Sequence, residues 1–305
     1  MRSTDNKQTI KKIRLYYRNY SYNAGTKKSS KLLPLPTLYL PQSHKLKDPS
    51  LSSSESSDIN KNYQDEMEDF TLIISPFKLS DNDKKHHLFA IFDGHGGFRS
   101  AEISKRKYPS ILRQCLKDNP IKIEESLKRS FLFLDHEAYI NQCTLVGNTA
   151  TIVYFANKML YCANVGDSRC VVITGNKTIK QMSYDDNCYD PNERKRVEEK
   201  GGTFTDNRLE GVLAVTRAIG DFEFKEKGLI SVPHVNKHMI DPSDLYCVIA
   251  SDGVWDVLSN EDLISIMIES KTEKDFSNKI VEFALKNGST DNISCIVIKF
   301  FQENI

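Results

Sequence analysis

Asp93 closes the run "LFAIFDGHGG" and is followed at once by Gly94, His95, Gly96 and Gly97; Asp252 closes "CVIASDGVWD" in the same way. Asp291 in "NGSTDNISCIVIKF" and the pair Glu68 and Asp69 in "EMEDFTLII" stand just before apolar runs of the same kind. Any one Asp-Gly is ordinarily a turn. Together these residues put carboxylates at the ends of four apolar strands, on mounts stiff enough to hold a site. Carboxylates gathered at one rim of a sheet repel one another unless a cation lies among them. An oxygen-only ligand set with no His-rich or Cys-rich alternative suits Mg2+ or Mn2+. A carboxylate shared by two such ions holds them about 4 Å apart, and the water between them is a nucleophile for in-line displacement at phosphorus. Glycines beside Asp93 and Asp252 let the backbone approach an ion, which makes the Gly94 carbonyl a candidate ligand. The chemistry indicated is metal-assisted hydrolysis of a phosphate ester.

The elements that must position these groups are legible as two kinds of pattern. "FTLIIS", "HLFAIFD", "TATIVYFA", "MLYCANV", "RCVVIT", "YCVIAS" and "ISCIVIKF" are short and rich in β-branched and aromatic residues, as buried strands are. Helical patterns lie between them in "RSAEISKRKYPSILRQCL", "KIEESLKRSFLFLDHEAYI", "NERKRVEEKG", "NEDLISIMI" and "EKDFSNKIVEFALKNG", the last with Gly288 at the C-cap. The tight join in "YFANKMLY" predicts antiparallel sheets covered by helices, an α+β fold. The sequence has no Gly-x-Gly-x-x-Gly turn, no Walker loop and no internal repeat, which argues against a nucleotide-binding α/β fold or an array.

Composition excludes several classes. The 305 residues carry 42 Lys and Arg against 41 Asp and Glu, a balance that points to neither nucleic acid nor membrane. No apolar run reaches about 18 residues and the start lacks the apolar core of a secretory signal, so a soluble protein of the cytoplasm or nucleus is expected. Cys115, Cys143, Cys162, Cys170, Cys188, Cys247 and Cys295 are odd in number and form no C-x-x-C pair, as expected of buried thiols in a reducing compartment. Texture changes near residue 62. Residues 1–61 read as a basic, Ser-rich, disordered arm and 62–305 as the packed domain. Residues 1–47 hold eleven Lys or Arg and a single acid, Asp5, yet "KKIRLYYRNY" is poorly amphipathic, so organelle transit is the less favoured reading. "LPLPTLYLP" reads as an extended docking segment. The sequons at Asn19, Asn176, Asn287 and Asn292 read as incidental.

In order along residues 63 to 300, "FAIFDGHGG", "GNTATIVYFANKMLYCANVGDSRCVV", "LAVTRAIGDFEFK", "VIASDGVWDVLSNED" and "GSTDNISCIVIKF" resemble the motifs of the metal-dependent protein phosphatase 2C family. The resemblance implies a four-layer αββα sandwich of two antiparallel β-sheets flanked by helices. It also implies a serine/threonine phosphatase that uses a hydroxide bridging two Mg2+ or Mn2+ ions. Asp93 would bridge the ions, Asp252 and Asp291 would complete the first site, and the Gly94 carbonyl the second. Glu68 and Asp69 match the pair that holds metal-bound waters, and His95 matches the general acid for the departing Ser or Thr oxygen. Asp185 and Asp256 match carboxylates around a weaker third metal. "ANVGDSR" and "TRAIGD" are read as a structural turn and as the neighbour of a flap beside the cleft, and Trp255 as core.

One position departs from the pattern. Gln64 stands where the family has a phosphate-binding Arg, and one neutral amide replaces a paired, charged donor. Gln64 is thus the candidate contact for substrate phosphate, with Lys61 and Arg99 as replacement cations. The expected partners are phosphoprotein substrates of a monomer, with no nucleic acid and no transmembrane segment. The alternative is a catalytically weak or silent phosphatase-like module that binds partners.

Overall fold

Along a single strand, His87–Phe92, Leu88, Ala90 and Phe92 pack with one cluster of apolar side chains while Phe89 and Ile91 pack with another. Both faces of that strand are therefore buried, which is why its sequence is a continuous apolar run rather than an alternation. The computed structural model describes residues 50–79 and 86–301. The basic segment, "LPLPTLYLP" and Asn19 lie outside the described residues.

Fifteen strands and six helices are present among the described residues. In chain order the strands are β1 Ser50–Asp58, β2 Phe70–Ile74, β3 His87–Phe92, β4 Gly94–His95, β5 Gly147–Asn148, β6 Ala150–Ala156, β7 Met159–Val165, β8 Arg169–Thr174, β9 Ile179–Gln181, β10 Phe204–Thr205, β11 Arg208–Leu209, β12 Ile219–Gly220, β13 His234–Met239, β14 Asp244–Ala250 and β15 Ile293–Phe301. The helices are α1 Arg99–Asp118, α2 Ile123–Ile140, α3 Pro191–Glu198, α4 Asp252–Trp255, α5 Asn260–Glu269 and α6 Glu273–Lys286.

One five-stranded sheet has the order β1-β15-β14-β8-β9 and the other β13-β7-β6-β3-β2, and every neighbouring pair is antiparallel. Phe89, Val153 and Phe155 of one sheet meet Val172, Ile249 and Ile296 of the other in the middle layer. Leu88, Ile152 and Tyr154 face Tyr108, Leu112 and Phe131 of α1 and α2. Val248 and Val297 face Leu263, Phe276 and Ile280 of α5 and α6. The result is the αββα sandwich. Asn157 and Lys158, both with positive φ, turn β6 into β7 as a two-residue hairpin requires. Gly288, at φ +84°, ends α6 as expected.

The domain begins earlier than the change of texture at residue 62 suggests. The Ser-rich stretch is strand β1, paired with β15 from Ser50↔Phe301 to Asp58↔Ile293. Its serines alternate toward α6, where Ser54 and Ser56 hydroxyls meet Ser277 Oγ at 3.2 and 3.0 Å, and Leu51 packs against the middle layer. A strand whose inner face hydrogen-bonds rather than buries carbon leaves no apolar signature. All seven cysteines are buried and free, and no described helix is long and apolar enough to cross a membrane.

Candidate metal centre

The segment between β1 and β2 is stitched to the start of β15. Asn60 Nδ2 donates to the Ser289 carbonyl at 2.6 Å, and Asn292 Nδ2 donates to the carbonyls of Ile59 and Glu66 at 2.9 and 3.1 Å. Asn292 Oδ1 in turn accepts from Glu68 N at 2.7 Å, so a buried sequon asparagine is fully used as a structural clasp. The clasp carries Glu68 and Asp69 up to Asp291. Gly94 is needed for the next approach, since a Cβ there would lie 2.7 Å from the Glu68 carbonyl oxygen. Gly253 is needed likewise, because its Cβ would lie 2.0 Å from the Asn292 carbonyl oxygen, and its absence lets Asp252 of α4 close on Asp291.

The carboxylates converge. Oxygens of Asp93, Asp167 and Asp252 all lie within 4.8 Å of one another, and Asp291 lines the same cavity. Asp69 is 6% exposed and accepts from Ser251 Oγ at 2.8 Å. Burial, then the neighbouring carboxylates of Asp252, Asp69, Asp167 and Asp291, push Asp93 well above the usual carboxylate range. Burial followed by Asp167 and Asp291 does the same to Asp252. Burial raises Asp69 to about 7 and Asp167 to about 6. Acids in such mutual repulsion, presented as oxygen donors beside a glycine-lined backbone, fit a hard divalent cation.

Asp167 was not anticipated as a site residue. It sits in the turn "NVGDSR" between β7 and β8, where Gly166 at φ +89° gives a sufficient conformational reason for the pattern. Asp256 lies at the edge of the cluster, raised by burial and by Asp291 while Arg169 acts to lower it. Asp185 is near enough to act on Asp167, but its oxygens are engaged: the Arg169 guanidinium forks it through Nε and Nη2, and Gln181 adds a bond at 3.3 Å. Asp186, the other acid of that loop, is buried against Gly166 N, His234 and Arg217. Asp186, Glu193 and His234 form a second tight group, but Arg217 and Arg196 occupy Glu193 and make it a structural ion network. Trp255 is core, with Nε1 donating to the Ala250 carbonyl at 2.9 Å.

Gln64 Nε2 donates to Asp291 Oδ1 at 3.0 Å and to the Thr290 carbonyl at 3.1 Å. Its donors are thus directed at the protein. The cavity, about 820 Å3, is walled on one side by Asp93, Gly94, His95, Asp252 and Asp291, and on the other by a flap whose Arg208 and Lys227 supply its positive charge. Lys61 and Arg99 are exposed and are not among its lining. The flap has its own small core of Val197, Leu209, Leu213, Val215 and Leu229. Burial acts to raise Glu193 beneath it, yet Arg217 and Arg196 hold that carboxyl down at about 2.

A two-sheet sandwich with an acidic cleft at the strand ends defines a class of hydrolase-like folds, and the sequence places the chain within it. The profile described as protein phosphatase 2C matches residues 55–293, and the chain belongs to that family. It is 39% identical over 241 residues to "Probable protein phosphatase 2C 7" of Oryza sativa subsp. japonica, covering 77% of this chain and 62% of that one. It is 33% identical over 252 residues to "Protein phosphatase 2C homolog 1" of Schizosaccharomyces pombe, covering 79% and 71%. Among solved structures, a C. elegans sex determining protein superposes with a TM-score of 0.73 at 26% identity, covering 85% of this chain and 66% of that one. The Toxoplasma gondii serine-threonine phosphatase 2C has the same fold, with a TM-score of 0.72 at 19% identity and coverage of 86% and 99%.

Proposed function

We propose that the chain is a metal-dependent protein serine/threonine phosphatase acting as a monomer on phosphoprotein substrates. The observation that carries this reading is the convergence of Asp93, Asp167 and Asp252, with Asp69 and Asp291 beside them, on the cavity that also holds His95. Asp93, Asp252, Asp291 and the Gly94 carbonyl would hold two Mg2+ or Mn2+ ions, Glu68 and Asp69 would order water around them, and Asp167 with Asp256 would serve a weaker third. Such ions supply Lewis acidity toward a phosphoryl oxygen and a nucleophile at neutral pH.

The protein's own contributions follow from its side chains. His95 would give a proton to the departing Ser or Thr oxygen, which otherwise leaves as a poor alkoxide. Its Nε2 is engaged by Asp221, so Nδ1 is the nitrogen left for substrate. Arg208 and Lys227 would attract the phosphate from the flap side, a task that Gln64, bonded to Asp291, is badly placed to perform. The exposed Val212 and Leu145 along the same cavity offer apolar contact to residues flanking the phosphorylated one.

The test is hydrolysis of a phosphothreonine peptide with millimolar Mn2+ or Mg2+, with EDTA and Asp252→Ala as controls. Turnover that is lost in both controls is expected. No turnover above those controls would sink the enzyme and leave the partner-binding module.

A further inference from the structure

The short sheet β12-β5-β4 brings together three pieces of chain that are far apart in sequence. His95↔Gly147 and Gly147↔Gly220 are its register partners, so His95 and the residue beside Gly220 flank one glycine from opposite sides. That residue is Asp221. Its side chain is fully buried, and its Oδ2 lies 2.5 Å from His95 Nε2 in a bond that the ring N–H donates. Its other oxygen, Oδ1, has no hydrogen-bond partner among the described residues. A buried carboxylate with a single partner is costly to keep, and this one belongs to no metal-capable group among the described residues.

The backbone is bent to place it. Asp221 has φ 51°, in the left-handed region that few residues other than Gly, Asn and Asp adopt readily. Gly220 N donates to Asp135 Oδ1 at 2.9 Å, and Asp221 N donates to the Val146 carbonyl at 3.2 Å, so the bend is fixed from both α2 and the β5 approach. Gly147 is the complementary device. A Cβ on it would fall 1.8 Å from Asp221 Oδ2 and 2.5 Å from His95 Nε2, inside the hydrogen bond itself.

We infer that Asp221 is a positioning residue for the reaction: it anchors the His95 ring through Nε2 so that Nδ1 meets the leaving oxygen, and Gly147 keeps open the space in which the two side chains meet. This rests on the reading of His95 as the acid. Proton delivery matters for an alkoxide leaving group and hardly at all for p-nitrophenolate, so a misplaced His95 has a signature that general damage to the fold or to the cation site lacks.

The experiment compares kcat on a phosphothreonine peptide and on p-nitrophenyl phosphate for wild type, Asp221→Asn, Asp221→Ala, Gly147→Ala and His95→Ala. Asn tolerates the same backbone angle, which makes Asp221→Asn the variant least open to misfolding. In the Asp221 variants kcat on the peptide should fall about 10- to 100-fold, with less than about 3-fold change on p-nitrophenyl phosphate, and Gly147→Ala should show the same split. NMR of the metal-free protein should show a slowly exchanging His95 Nε2–H in wild type that is lost in Asp221→Ala. If His95→Ala shows the split and Asp221→Asn and Asp221→Ala do not, Asp221 has no positioning role. Equal losses on both substrates in the Asp221 variants make it structural and overturn the inference. Equal losses in His95→Ala instead overturn the reading of His95 as the acid.

Discussion

A phosphate monoester would carry about two negative charges into a cavity lined by Asp93, Asp252 and Asp291, so the nearest protein cations would bear directly on how well it binds. Arg208 is the side chain best suited, since a guanidinium offers paired donors to phosphate oxygens and its present bond, to the Val212 carbonyl at 2.8 Å, uses only one nitrogen. Arg208→Ala should therefore raise KM for a phosphopeptide by about 10-fold or more, in line with roughly 1.5 to 3 kcal/mol for a charged hydrogen bond, and leave kcat nearly unchanged. Steady-state kinetics on the variant measure this, and an unchanged KM would assign phosphate binding elsewhere. The same scale shows what sequence could convey. Asp93, Asp252 and Asp291 were legible because each interrupts or abuts an apolar run, whereas Asp167 and Asp221 follow glycines in turns that already explain an aspartate. Gln64 was legible as an anomaly, but its bond to Asp291 depends on a clasp between segments more than two hundred residues apart.

At the scale of elements, the strands buried on both faces were the most legible, because their apolar runs are unbroken. Strands β3, β6, β8, β14 and β15 lie between layers and show as uninterrupted apolar runs. Among the edge strands, β2 showed as "FTLIIS" while β1, β9 and β13 did not. In β13, "HVNKHM", no residue is fully buried, and β1 satisfies its inner face with hydroxyls bonded to Ser277 and Asn278. The pairing of β1 is nonetheless complete along β15, and the Glu55 carboxylate accepts from Thr71 Oγ1 at 2.5 Å across to the other sheet. Chains beginning at residue 50 and at residue 59 should therefore differ in stability. Loss of the ladder, the serine bonds and Leu51 is worth roughly 3 kcal/mol, or about 6 to 12 °C in Tm for a domain of this size. The shorter chain should also aggregate more readily, because it bares β15 as an unprotected edge. Equal thermal midpoints in calorimetry would show that β1 adds nothing to the fold.

For the whole molecule, the acidic centre and the ion network under the flap act on stability in opposite pH ranges. Burial, against the lowering effect of Ser251 and Ser294, leaves Asp69 at about 7, and burial leaves Asp167 at about 6, against 3.8 for an unperturbed Asp. In the metal-free protein these groups are more readily protonated folded than unfolded, so the stability they contribute is full below about pH 4 and is lost as pH rises through 6 to 7. Glu193 runs the other way. With its carboxyl held at about 2 against 4.5 unperturbed, its contribution is present above pH 4.5 and is lost as pH falls toward 2. Without metal, Tm should thus climb from pH 8 to a maximum near pH 5 and fall again toward pH 3. A cation bound among Asp93, Asp167 and Asp252 competes with protons for the same oxygens, so millimolar Mn2+ should raise Tm markedly at pH 8 and little at pH 5. Differential scanning calorimetry at these pH values, with EDTA and with Mn2+, measures both effects. A Mn2+ shift of equal size at pH 8 and pH 5, or a metal-free Tm that falls between pH 8 and pH 5, would mean that the buried aspartates are not the groups that bind the ion.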